Sequence, residues 1–321
     1  MPQPFFTVAI PVWNRLGFIK ESTKSVFDQT FKDFELIIVD DASTDGTWEY
    51  IQTISDPRVK VFRNPQNAGV VHNWRCCLEK ATGKWFKFLL SDDLMLPDAL
   101  YILKKIIEEN PGNNVIVNSG IGFNDEVEIK QYMGIKNREI RDTWKYLQPM
   151  DKIIQRRKRY NYTWATPNAY TLLTEDLIDL FDTEEYKEIE RLFGRSGHCT
   201  DYYILYAVAL KYKTMIEMDF PLYGSRCHDS NMSKYYYYNL TYHLGGDKYI
   251  NYKLFNYKGF EHLFTIRHAF RIYFHKIRSN KKILLKLILF RMTGQLIVFL
   301  FRHIFGIDKN IDYINCNVPK K

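Results

Sequence analysis

Short apolar runs alternate with amphipathic stretches through the first hundred residues. Phe5 to Val12 (FFTVAIPV) reads as a strand. Leu16 to Gln29 places Phe18, Ile19, Ser22, Val26 and Phe27 on one face of a helix. Phe34 to Val39 (FELIIV) is a continuous apolar run, the pattern of a strand covered on both sides. Asp45-Gly46 marks a turn, Thr47 to Ile54 a short helix and Val59 to Phe62 a third strand. A helix is predicted over Val70 to Ala81, ended by Gly83, followed by a fourth strand over Trp85 to Leu90. Pro97 opens a helix that runs to about Glu109 and stops at Asn110-Pro111-Gly112. Val115 to Asn118 reads as a further strand and Thr200 to Lys211 as a helix.

This rhythm predicts an α/β fold, a mostly parallel sheet flanked by helices. Ligands of such sheets bind beyond the carboxyl ends of the strands. The residues that follow each strand are therefore the candidates for chemistry. They are Trp13-Asn14-Arg15, the stretch Asp40-Asp41-Ala42-Ser43-Thr44-Asp45-Gly46, Asn64 with Asn67-Ala68-Gly69, and Ser91-Asp92-Asp93.

Composition sharpens this. The 321 residues are 46% hydrophobic and 26% charged, which excludes wholesale disorder, and the net charge of +8 favours anionic partners. Yet acidic side chains gather at the strand ends. Two adjacent carboxylates repel unless something positive joins them, and a hard cation, Mg²⁺ or Mn²⁺, prefers such oxygen ligands. A cation there would stabilise the charge that grows on a departing diphosphate. Asp40, at a strand end, suits a base or sugar because a carboxylate accepts from N–H and O–H groups. The five cysteines, with Cys76 and Cys77 adjacent and no CxxC pair, form neither a disulfide framework nor a zinc site. No signal peptide and no long uncharged apolar run is read in the chain, so a cytoplasmic setting is expected.

The segments AIPVWNR, FELIIVDDASTDGT, NAGVVHNWR, GKWFKFLLSDD with LMLP after it, and YGSRCHDSNMS occur in this order. Together they resemble the inverting family-2 glycosyltransferases of the GT-A fold, over roughly residues 5 to 235. The resemblance implies a nucleotide-sugar donor, a divalent metal and a single displacement with inversion. It also implies roles. Pro11, Trp13 and Asn14 would line the nucleotide pocket, and Asp40 would contact the base, with Asp41 and Ser43 supporting that loop. Asn67 and Gly69 would shape the wall near ribose and diphosphate. Asp92 would face the ribose or the metal, Asp93 would ligate the metal, His228 would approach the metal or diphosphate, and Arg226 would bind phosphate. Asp201 stands where the family carries its catalytic base. Trp164 and Asn168 fall where members contact the acceptor, a glycan or a lipid-linked hydroxyl in surface polysaccharide synthesis.

Two domains are expected: residues 1–235 for nucleotide-sugar binding and catalysis, and a helical extension over 236–321. Residues from about 120 to 160 read as an insertion or a mobile loop. From about 262 to 305, Lys281, Lys282, Lys286, Arg291 and Arg302 interrupt an apolar run. That pattern fits helices lying on anionic lipid at the inner membrane face, and equally helices packing on the catalytic core or on a second copy of the chain. Nucleic acid ranks low as a partner, because the basic residues form no stripe with a known motif. A nucleotidyltransferase would need a Gly-rich loop where Pro11 to Arg15 stands. A non-catalytic nucleotide-sugar-binding or membrane assembly protein is the other alternative.

Overall fold

The computed structural model describes residues 3–124, 145–149, 152, 166–195, 197 and 200–228. All of them belong to one compact unit. The expected extension over 236–321, most of the insertion, and Trp164 lie outside the described residues. Among the described residues no helix is long and apolar enough to cross a membrane.

The strands are β1 (Phe6–Val12), β2 (Phe34–Asp40), β3 (Val59–Arg63), β4 (Trp85–Phe88), β5 (Leu94–Met95), β6 (Val115–Phe123), β7 (Lys145–Pro149), β8 (Tyr170–Leu173) and β9 (Thr214–Arg226). The helices are α1 (Leu16–Phe27), α2 (Thr47–Gln52), α3 (Val70–Glu79), α4 (Ala99–Glu109), α5 (Thr174–Phe181), α6 (Glu184–Phe193) and α7 (Thr200–Ala209). The sheet runs β3-β2-β1-β4-β8-β6-β9-β5, with β7 paired to β9. It is parallel across β3-β2-β1-β4 and again between β6 and β9. It turns antiparallel where β8, β5 and β7 join. The sheet is thus mixed, with its parallel part in the half where the apolar rhythm is clearest.

Burial explains why that half is regular. Every residue of β1 and β2 is buried, as in a strand with helices on both faces, whereas the edge strand β3 is only partly covered. Pro11 can sit in β1 because β1 pairs with β4 only over Phe6 to Ala9, so the N–H it lacks is not required by that ladder. The parallel register aligns the ends of β1 and β2, with Val12 opposite Asp40. The candidate loops therefore leave the sheet side by side.

The opposite end of the sheet is closed by a buried acid. Glu35 pairs in register with Thr7 and accepts hydrogen bonds from the Thr7 hydroxyl (2.6 Å), Lys60 Nζ (2.9 Å) and the amides of Thr82 (2.5 Å) and Gly83 (3.0 Å). Residue 83 must be glycine, because a Cβ there would stand 2.4 Å from the Thr7 nitrogen. Burial alone would raise the Glu35 pKa, but the bonds from Lys60, Thr7 and Thr82 outweigh it and lower the value. A lowered folded-state pKa gives stability that is present above the unfolded carboxylate range and is lost as pH falls through the lowered value. Glu35→Gln is expected to cost about 1–3 kcal/mol near neutral pH. It should also flatten the acid limb of a pH series of denaturant unfolding curves; an unchanged limb would remove this role.

Candidate active site

The site begins where β1 hands over to α1. Arg15 occupies the N-cap position of α1 without a side-chain cap of its own. The loop after β2 supplies the cap instead: Asp45 Oδ2 accepts the Leu16 amide (3.1 Å) and Thr47 Oγ1 accepts the Arg15 amide (3.0 Å). Asn14 sits in the left-handed region (φ 50°). It is held there by donating its amide to Ser43 Oγ (2.8 Å) and accepting the Thr44 amide on Oδ1 (2.8 Å). Asp41 turns the other way and fastens the third loop, accepting from Asn64 Nδ2 (2.8 Å) and the amides of Ala68 (3.1 Å) and Gly69 (2.9 Å). Asp40 is fully buried. Its Oδ2 accepts the Ser43 amide (3.0 Å) and lies 3.3 Å from Arg63 Nε, while its buried Oδ1 has no hydrogen-bond partner.

One polar face of α1 carries the next loop. Ser22, Ser25 and Gln29 lie about one helical turn apart. Ser22 Oγ is within donating distance of Ser91 O (2.9 Å) and Asp93 O (2.7 Å). Ser25 Oγ accepts the Met95 amide (3.0 Å), and Gln29 Nε2 donates to Leu96 O (2.7 Å). The acidic turn is thereby fixed by its backbone, leaving its side chains to other partners.

The two aspartates of the turn face opposite ways. Asp93 is buried, accepting the Arg226 amide on Oδ1 (2.8 Å) and Asn168 Nδ2 on Oδ2. Burial, and after it the neighbouring Asp92 charge, push its carboxyl up to about 7. Asn168 is itself a buried hub: its Oδ1 accepts the Leu90 amide (2.7 Å) and its carbonyl accepts Lys87 Nζ (2.8 Å). Lys87, buried in β4, also donates to Asn118 Oδ1 (3.2 Å), and burial pushes its ammonium down to about 7.

Asp92 looks outward. Its Oδ2 lies 3.0 Å from His228 Nε2 and 3.7 Å from Arg15 Nε, with the three side chains between 12% and 19% exposed. His228 stacks at 4.7 Å on Phe18 of α1. Arg226, at the end of β9, donates from Nε to the Asp92 carbonyl (3.0 Å) and from Nη2 to Glu21 Oε2 (2.6 Å), and lies over Phe18 and Phe123.

Helix α7 is seated on the third loop. Gly69 has φ 98°, and a Cβ there would meet Arg195 Cα at 2.7 Å. Gly194 O accepts the Val71 amide (2.9 Å) and Gly197 O the Thr200 amide (3.1 Å). Asp201 lies half-buried in the first turn of α7, accepting the Tyr202 amide on Oδ1 (2.8 Å). Its charge adds to burial in pushing the phenol of Tyr170, in β8, well above its ordinary value.

The family model described as "Glycosyl transferase family 2" matches residues 7–176, more than half of the chain. The chain belongs to glycosyl transferase family 2. Its fold is GT-A, and it is similar over 75% or more of its length to solved glycosyltransferases. The mannosyltransferase PcManGT of Pyrobaculum calidifontis, solved with GDP-Man and Mn²⁺, shares 14% identity at a TM-score of 0.55, covering 96% of this chain and 88% of that one. An uncharacterized glycosyltransferase of Rickettsia conorii is 41% identical over 105 residues, 32% of this chain and 17% of that protein. TuaG of Bacillus subtilis, a putative teichuronic acid biosynthesis glycosyltransferase, is 37% identical over 100 residues, 30% of this chain and 40% of TuaG. The chain spans less than half the length of these two curated relatives.

In this family-2 chain the expected residues divide into three groups. Trp13, Asn14, Asp40, Asp92 and His228 stand at the strand ends, with Trp13 48% exposed. Pro11 is buried in β1, Asn67 is exposed, and Asp41, Ser43 and Gly69 are built into the loops rather than facing a ligand. Three expectations are corrected. Asp93 is not placed to ligate a metal, because it is buried with both oxygens engaged. Arg226 is not a phosphate ligand but a strut, its guanidinium committed to Glu21 and the Asp92 carbonyl. Asn168 is 1% exposed and braces the acidic turn, so it cannot contact an acceptor. Arg15, Glu21, Ser22 and Lys87 carry no expected role, though a lone lysine in the apolar run WFKFLL was a signal. Asn168→Asp would set a second carboxylate against Asp93 in the interior. It should cost about 3–5 kcal/mol in denaturant unfolding; a loss below about 1 kcal/mol would contradict the hub.

Proposed function

We propose that this glycosyltransferase moves a sugar from a nucleoside-diphosphate donor to a hydroxyl of a glycan or lipid-linked acceptor. The transfer proceeds with inversion, in surface polysaccharide synthesis. The observation that carries the reading is the Asp92–His228 pair, 3.0 Å apart at the carboxyl end of the sheet.

As it stands the pair is a hydrogen bond, and its carboxylate and imidazole are groups that would hold a divalent cation. Among the described residues no cluster of three or more His, Cys, Asp or Glu could hold a metal. Asp92 and His228 would hold Mn²⁺ or Mg²⁺, which when bound would offset the charge gathering on the leaving diphosphate.

The chain's own groups account for the rest. Asp40 Oδ1 is an unfilled acceptor at the end of β2 that would take an N–H of the base only once uncovered, since it is fully buried. Trp13 offers an exposed aromatic face at the mouth of the nucleotide pocket. Asp201 takes the proton of the acceptor hydroxyl. The acceptor oxygen bonds to the anomeric carbon as the bond from that carbon to the diphosphate oxygen breaks, and attack from the opposite face inverts the centre. A general base of this kind contributes about 10²–10⁴-fold, and alignment supplies much of the remainder. The lipid-linked acceptor and a place on the inner membrane face rest on the basic, apolar stretch 262–305, which lies outside the described residues, as does Trp164.

Two tests follow. In a thermal-shift panel of UDP-, GDP-, dTDP- and CMP-sugars, one donor should raise the melting temperature more with Mn²⁺ than without it. The metal-dependent part should vanish in Asp92→Asn. No metal-dependent response to any donor would oppose the reading. Asp201→Asn should bind that donor with unchanged affinity yet turn over about 10²–10⁴-fold more slowly; full turnover would remove Asp201 as the base.

A further inference from the structure

We propose that Arg15 is a ligand for the donor's diphosphate, and that it is also the counter-ion which a divalent cation displaces from Asp92. This rests on the reading of Asp92 and His228 as metal ligands given above. Asp92 Oδ2 has a nitrogen on each of two sides, His228 Nε2 at 3.0 Å and Arg15 Nε at 3.7 Å. The Arg15 distance is that of an ion pair, longer than a hydrogen bond. Both side chains are partly exposed, so they meet at the edge of the cleft rather than in the core.

The chain is bent to deliver Arg15 to this place. The preceding residue, Asn14, is in the left-handed region, which asparagine enters more readily than other residues with a side chain, and its neighbours hold it there. The imposing bonds are the one Asn14 donates to Ser43 and the one it accepts from Thr44, while the Arg15 amide is tied to Thr47 and Arg15 Nη1 donates to the Asn14 carbonyl (3.1 Å). Its position at the start of α1 sets it between the nucleotide loop and the acidic turn.

Charge decides what happens next. A guanidinium keeps its charge throughout the working pH range. A divalent cation on Asp92 Oδ2 would stand against that like charge, so Arg15 must turn from Asp92 as the cation arrives. Phosphate oxygens enter beside the same cation, and a guanidinium matches them in a two-pronged geometry. Arg15 thus exchanges a carboxylate for the diphosphate. It weakens the metal site while no nucleotide is present and strengthens nucleotide binding. Arg226 cannot serve in its place, being fixed to Glu21 at 2.6 Å and to the Asp92 carbonyl.

The test uses the full chain, wild type and Arg15→Met, with Arg15→Gln as a second variant and Asp92→Asn as the reference. Mn²⁺ affinity without nucleotide is read from the electron paramagnetic resonance of free Mn²⁺. Affinity for UDP and for GDP is read by calorimetry with Mn²⁺ in excess, and the tighter of the two is followed. Losing Arg15 should tighten Mn²⁺ binding by about threefold or more and weaken the nucleotide by about tenfold. If the wild type binds Mn²⁺ too weakly to measure, the gain is read from that floor. If Asp92→Asn abolishes Mn²⁺ binding while either affinity of both Arg15 variants stays within about twofold of wild type, the Arg15 proposal is overturned and the ligand assignment stands. If Asp92→Asn keeps full Mn²⁺ affinity, the ligand assignment fails and takes this proposal with it.

Discussion

A carboxylate facing away from the cleft holds the site in shape. Asp93 is buried beneath the acidic turn, with the Arg226 amide on one oxygen and the Asn168 side chain on the other. An interior acid without such partners would be costly, and with them it becomes a tie between segments far apart in the chain. Through Asn168 it fixes β4, and through the Arg226 backbone it fixes the end of β9. Asp92, its neighbour in the turn, points the other way, toward His228 and Arg15. The buried tie to the Arg226 amide holds the end of β9 against the turn, two residues before His228.

Helix α1 is the second constraint. It gives Ser22, Ser25 and Gln29 to the backbone of the acidic turn, and Phe18 and Glu21 to His228 and Arg226. These positions share one helical face, so a single rigid element sets both sides of the Asp92–His228 pair. The loops after β1 and β2 cap that same helix. The loops after β1 and β2 and the acidic turn are thus referred to one element, the kind of preorganisation that a site with a narrow geometric tolerance requires.

Much of the parallel half was legible in the sequence. Strands covered on both faces leave continuous apolar runs, and β1 to β4 and the helices between them start and stop within a few residues of the pattern. β5 was not legible because two residues carry no period. The mixed character of the sheet was hidden because antiparallel joining depends on partners distant in the chain. The site was legible as a location, since strand ends collect its loops, but not as a set of roles. In Asp92-Asp93 the sequence shows two equal acids. Which one faces inward is decided by Asn168, 75 residues on, and by Arg226, 133 residues on. Arg226 looked like a phosphate ligand until Glu21, 205 residues earlier, was seen to engage it. Ser22 was assigned to an apolar face, and only the folded backbone of residues 91–96 shows why a hydroxyl belongs there.

The most direct measurement is pulsed electron paramagnetic resonance on the full chain with Mn²⁺ and the nucleoside diphosphate it binds best. One imidazole nitrogen should couple to the manganese, and the coupling should disappear in His228→Gln while the nucleotide remains bound. Manganese bound to the native protein without any nitrogen coupling, or with a coupling that survives His228→Gln, would contradict the placement of the cation between Asp92 and His228.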